Sequence, residues 1–154
     1  MERLARDYLP PDLVKTTQPH NITGSVKVLP DQLFVLDHMA KADREHQNIS
    51  DWKRDFDKLA QHENVVCKLS GLVTEAHWNV WHLRDFTPYL DAALEAFGPE
   101  RLLYGSDWPV CLLSAEYAEV LCIANSLIDR MSLDEAKAIR GTNTIQFYGL
   151  QADQ

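Results

Sequence analysis

Residues 101–113 read RLLYGSDWPVCLL. The apolar run Leu102-Leu103-Tyr104 has the length of a buried strand and stops at Gly105, a residue that turns the backbone without steric cost. Ser106 and Asp107 follow, then Trp108 and Pro109, where the chain must change direction. A carboxylate in that place has two readings. It is a turn or helix-capping group. Alternatively it sits over the end of a strand, ionised at neutral pH, where it holds a cation or takes a proton from water.

The pattern repeats upstream. LFVLDH (33–38) and NVVCKLSG (64–71) are further apolar runs of strand length, each ending in polar residues. Between and after the runs come segments of helical period. DWKRDFDKLAQHE (51–63) puts Trp52, Phe56 and Leu59 on one face, with Ser50 and Asp51 as caps. RDFTPYLDAALEAFG (84–98) does the same with Tyr89, Ala93, Leu94 and Phe97, and Gly98-Pro99 ends it. SAEYAEVLCIANSLIDRM (114–131) reads as a long helix. SLDEAKAIRG (132–141) opens with a capping box from Ser132 to Glu135. Alternating strand and helix with apolar strands means a parallel sheet, and the polar groups past its strand ends (Asp37-His38, Lys68-Ser70, Ser106-Asp107) lie where such sheets carry their sites.

Nearer the N-terminus, ERLARDYLPPDLVKTTQPH (2–20) reads as two short helical pieces broken at Pro10-Pro11, the second starting at Asp12, and ITGSVKV (22–28) as a strand. Only LPDQ separates that strand from LFVLDH. Parallel neighbours need a crossover of about a dozen residues, so these two form a hairpin or one of them is not a strand.

A chain of 154 residues with 45% hydrophobic content suffices for one domain with a core. A net charge of −8 leaves no basic patch for nucleic acid and none for an anionic membrane surface. No apolar run reaches the length of a membrane span. Cys67, Cys111 and Cys122 are odd in number and lack C-x-x-C spacing, which predicts free thiols, a reducing compartment and a cytoplasmic protein. The opening MERLARDYLP predicts no signal peptide.

Four residues are candidates for chemistry. Asp107 is the general base or cation ligand, or a capping group. His38 shares a strand face with Phe34 and Leu36 and emerges at the strand's end, where its imidazole ligates a metal or makes an ordinary core hydrogen bond. Lys68 shares a face with Val66 and Ser70; it stabilises an oxyanion, binds a substrate carboxylate, or snorkels. Trp108, with Glu75, His77, Trp78, Trp81 and His82, walls a pocket or simply packs. There is no G-x-S-x-G elbow, P-loop, G-x-G-x-x-G or H-E-x-x-H.

FVLDHMAK (34–41), VVCKLSGLVTEA (65–76), RLLYGSDWPVCLL (101–113) and GTNTIQFYGL (141–150), in that order, resemble the amidohydrolase-related family, and more narrowly its L-fuconolactonase and L-rhamnonolactonase-like branch. The opening RLARDYLPPDL and NITGSVKV are similar to it too. The resemblance implies a (β/α)8 barrel that hydrolyses cyclic esters or amides at the C-terminal strand ends. In it Asp107 matches the Asp of the final-strand G-S-D-W-P motif, a general base or metal ligand, and His38 matches the His of the V-L-D-H motif. It implies a small lactone as substrate, and His38 with Asp107 as ligands of any divalent metal such as zinc; Lys68 lies in the matching K-L-S-G-L stretch, and Lys68 and Trp108 are the expected substrate contacts. The family's H-x-H pair is missing, so a metal is expected to bind weakly or not at all. A barrel needs about 250 residues. The expected fold is therefore an incomplete (β/α)8 barrel with about four parallel strands. It forms one partial domain over 1–154: an N-terminal remnant at 1–29 and a C-terminal half-barrel at 30–150. Its open edges call for a homodimer or a complementing chain. Lactone hydrolysis, impaired in this chain, is the expected function. The alternative is a non-catalytic fragment or splice product acting through binding.

Overall fold

A computed structural model of the chain describes residues 32–42, 49–78 and 80–150. Three strands form one parallel sheet: β1 (Phe34–Leu36), β2 (Val65–Leu69) and β3 (Leu102–Tyr104). They pair in chain order, with Leu36 beside Cys67 and Cys67 beside Leu102. Helix α1 (Ile49–Ala60) lies between β1 and β2, and α2 (Thr87–Phe97) between β2 and β3. Sequential order without a reversal is the winding that closes into a (β/α)8 barrel, whereas a doubly wound sheet reverses its order at a switch point. The chain thus forms part of such a barrel.

The β2 side chains show the two faces. Val65, Cys67 and Leu69 are buried, while Val66 and Lys68 are half-exposed. The buried set joins Leu36, Leu102, Phe56 and Trp52 of α1, Leu90 and Phe97 of α2, and Ile123 and Leu127 of α3 (Tyr117–Ile128). Trp52 stacks on Phe56 with ring centroids 4.4 Å apart, and Phe56 meets Phe97 edge-on at 5.1 Å. Those are the residues whose i, i+4, i+7 spacing predicts the helix faces.

The helix boundaries follow local chemistry. Pro88 sits in the first turn of α2, where a missing N–H costs nothing, and Gly98 ends it at φ 66°. The capping box forms as read: Glu135 N donates to Ser132 Oγ at 3.3 Å and Ser132 N to Glu135 Oε2 at 3.0 Å, opening α4 (Leu133–Lys137). A wide turn over Ala138–Thr142 leads to α5 (Asn143–Tyr148). The Nδ2 of buried Asn143 donates to Pro99 O and Leu102 O at 2.7 and 2.8 Å, tying α5 to the start of β3.

Two expectations change. The strand expected at 22–28, the fourth of the sheet, lies outside the described residues, as do the helical pieces near Leu4 and Tyr8. LFVLDH pairs only through Leu36, so Asp37 and His38 belong to the turn after the strand. No described helix is long and apolar enough to cross a membrane. The three cysteines are free thiols.

At the other end of the sheet Arg101 gathers carbonyls. Its Nη1 donates to Ala60, His62 and Val65 O (3.0–3.2 Å), its Nε to Phe97 O and its Nη2 to Ala96 O, both at 3.2 Å. One planar fork thereby closes the ends of α1 and α2 over the start of β2. Arg101→Met should lower stability by about 2–4 kcal/mol, because these carbonyls lose their donor together. Arg101→Lys should recover only part of that loss. Urea midpoints of the three proteins check this.

Candidate active site

The parallel register brings three strand ends together, and the polar residues after them meet. His38 Nδ1 lies 2.9 Å from Ser70 Oγ, and His38 Nε2 lies 3.5 Å from Asp107 Oδ1. The one hydroxyl proton of Thr74 is shared between Gly71 O at 3.0 Å and Asp107 Oδ2 at 3.4 Å. The Asp107 side chain is 10% exposed and that of His38 29%, so the pair is sheltered but reachable. Of the two readings of Asp107, the capping one fails. Only its backbone carbonyl serves the following turn, accepting from Cys111 N at 2.9 Å, while its carboxylate turns to His38 and Thr74.

The backbone achieves this at a cost. His38, Met39, Ala40 and Lys41 all have φ between 49° and 60°, and Asp107 has φ 57°. This left-handed region is uncommon for residues with a Cβ and costs on the order of 1–2 kcal/mol each. His38 therefore does not continue the strand face of Phe34 and Leu36, as the alternation predicts; a left-handed turn swings it towards Ser70. Burial offsets the strain. Met39 is wholly buried, and the Trp52 indole donates to its carbonyl at 3.0 Å. Gly71 makes room for the ring: at φ 67°, a Cβ on it would lie 2.5 Å from His38 Cβ and 2.8 Å from Cγ. Gly105 matters for a different reason than the turn. A Cβ there would press on Ser70 Cβ at 3.2 Å.

Lys68 lies on the half-exposed sheet face, its Nζ 3.0 Å from Asp37 Oδ1 and 5.8 Å from the centroid of the Tyr148 ring. Burial works against its charge, but Asp37 and the Tyr148 hydroxyl outweigh this and raise its pKa. Trp108 is 63% exposed, an open ring beside the pair and no wall of a closed pocket. Trp81 packs edge-on against Phe86 and donates to Ser114 O, while Glu75 pairs with Lys41. Burial pushes the Cys67 and Cys111 thiols up, and Asp107 adds to the effect on Cys111, so neither is a ready nucleophile. Three further residues take part: Ser70, which the sequence places among the polar groups past the strand ends without a role of its own, and Thr74 and Tyr148, which it does not mark. Ser70 had a signal, since alternation puts it on Lys68's face just past the strand; nothing local marks Thr74 or Tyr148.

Comparison with known proteins gives the family. The amidohydrolase family model matches residues 8–150, and the chain belongs to that family. It is 44% identical over 127 residues to an L-fucono-1,5-lactonase of Burkholderia multivorans, covering 76% of this chain and 43% of the relative. An L-fucono-1,5-lactonase of Burkholderia ambifaria is 39% identical, over 75% of this chain and 41% of its own length. A Burkholderia multivorans amidohydrolase solved with bound zinc superposes with a TM-score of 0.75 at 40% identity, over 82% of this chain and 48% of that one. The chain thus spans less than half the length of these relatives.

Gly71→Ala is expected to displace His38 and to destabilise the fold by about 1–3 kcal/mol, from both the left-handed φ and the overlap. Gly105→Ala, with more room and no left-handed φ, should cost less. Thermal melts and the His38 ring proton shifts of the two variants check the order.

Proposed function

We propose that this chain carries part of a sugar-lactone hydrolase site, with Asp107 as general base and His38 as the group that polarises the carbonyl. The observation that carries the reading is the meeting of His38 and Asp107 at 3.5 Å across two strand ends; the lactonase names of the relatives support the substrate class. Asp107 takes a proton from water as the oxygen adds to the lactone carbonyl carbon. His38 steadies the oxygen that gains negative charge. The ring C–O bond then breaks, the ring oxygen takes up the proton, and a hydroxy acid leaves. Ser70 orients the imidazole and Thr74 the carboxylate. Lys68 and Trp108 contact the substrate.

A catalytic zinc ion commonly takes three protein ligands. His38 and Asp107 offer two, and no group of three or more His, Cys, Asp or Glu among the described residues is placed to hold a metal. The described residues do not make such a site by themselves, so no step here runs through a metal. We propose for the same reason that turnover by this single partial domain is low. A second reading, a non-catalytic chain that binds a second copy or a complementing chain, draws on one observation: among the described strands β1 and β3 each have one neighbour.

The test is hydrolysis of L-fucono-1,5-lactone followed by acid release. The full chain should show slow turnover, and Asp107→Asn should reduce it by about 10²-fold or more. Turnover that survives Asp107→Asn intact rules out this mechanism. Absence of turnover, together with a dimer in light scattering, favours the second reading.

A further inference from the structure

Lys68, Asp37 and Tyr148 come from β2, the turn after β1 and the C-terminal α5, and meet on the half-exposed face of the sheet. The Lys68 stem passes 3.8 Å from where a Gly105 Cβ would be, on the side where Ser70 lies at 3.2 Å. Ser70 in turn holds His38, and Asp37 is His38's neighbour in sequence, so the trio adjoins the reactive pair. All three remain accessible: Asp37 and Tyr148 are about half-exposed and Lys68 about a quarter.

The charges decide what such a place can bind. An isolated lysine on this face would draw a carboxylate or an oxyanion. Lys68 is already paired with Asp37 at 3.0 Å, so an incoming anion would meet that carboxylate as well as the ammonium. A neutral hydroxyl suits the pair better, because it donates to Asp37 and accepts from Lys68 at once. Tyr148 adds a second hydroxyl partner and an aromatic face. We infer that Lys68, Asp37 and Tyr148 form a subsite for adjacent hydroxyl groups of a sugar ring. This rests on the lactonase reading for its place beside the reactive carbonyl and deepens it: the subsite reads the hydroxyls of the substrate and leaves the carbonyl to His38 and Asp107.

L-fucose is a suitable probe, since it offers ring hydroxyls and has no ester to cleave. In a titration of the full chain followed by amide proton–nitrogen spectra, shifts should concentrate at Asp37, Lys68 and Tyr148. Acetate at equal concentration should not displace the sugar. Tyr148→Phe and Asp37→Asn should each weaken binding about three- to tenfold, the loss of one or two hydrogen bonds. Shifts confined to other residues, or displacement by acetate, would overturn the subsite, and the wild-type chain alone decides this. The two readings fail separately. Sugar binding at the trio without lactone turnover leaves the subsite and removes the lactonase. Turnover with an unchanged KM in Tyr148→Phe leaves the lactonase and removes the subsite.

Discussion

The guanidinium of Arg101 is the point on which the described fold closes. A parallel sheet leaves each strand to be reached by a helix running back across it, so every helix ends in orphan carbonyls near the start of the next strand. Arg101 supplies donors to the ends of α1 and α2 and to the entry of β2 from one rigid group, and its fork stacks 5.1 Å from the Phe97 ring. An always-ionised planar donor with five N–H groups does this; a flexible ammonium with three does not. The Asn143 amide repeats the device for α5 at the start of β3. Both anchors stand at the N-terminal ends of the strands, opposite the candidate site. Barrel folds keep stability at one end and chemistry at the other, and the present chain divides its polar side chains the same way.

At the site end the controlling constraint is backbone handedness. Four successive left-handed residues and a fifth at Asp107 would not persist on their own. The hydrophobic burial of Met39 and the Trp52 indole bond hold the first turn, and Thr74 holds the Asp107 carboxylate. The strain is localised where two strand ends must present side chains to each other across a third, between His38 and Asp107 with Ser70 in the middle. An extended backbone at residue 38 would have kept His38 on the Leu36 face, which is packed against helices.

That explains what was legible in the sequence and what was not. The helices are written in apolar period and caps, and α2, α3 and the Ser132 box lie where those signals put them; α1 keeps its apolar face but starts at Ile49, so Ser50 and Asp51 sit in its first turn and do not cap it. The strands are written as apolar runs, although β1 is shorter than its run because pairing ends at Leu36. The meeting of Asp107 with His38 could be expected from a parallel pattern with polar strand ends and from the family resemblance. The direction of His38 could not, because alternation describes strands and residue 38 is past one. Gly105 reads as a turn residue, yet its service is to give way to Ser70, a neighbour 35 positions away in sequence. Arg101, Asn143 and Tyr148 carry no local signal at all, since their partners are set by tertiary packing alone.

Asp37 and His38 show how the same turn separates two tasks. Neighbours in a strand point to opposite faces, and one of the two would then have been lost to the helix layer. Because the strand stops at Leu36 and the chain turns left-handed at once, Asp37 turns to Lys68 while His38 turns to Ser70 and Asp107. The consequence is electrostatic. Lys68 is paired with Asp37 at 3.0 Å, and His38 with Asp107 at 3.5 Å, so each charge in the turn has its own partner. One left-handed turn thus gives two adjacent polar residues two separate partners on the same face of the sheet.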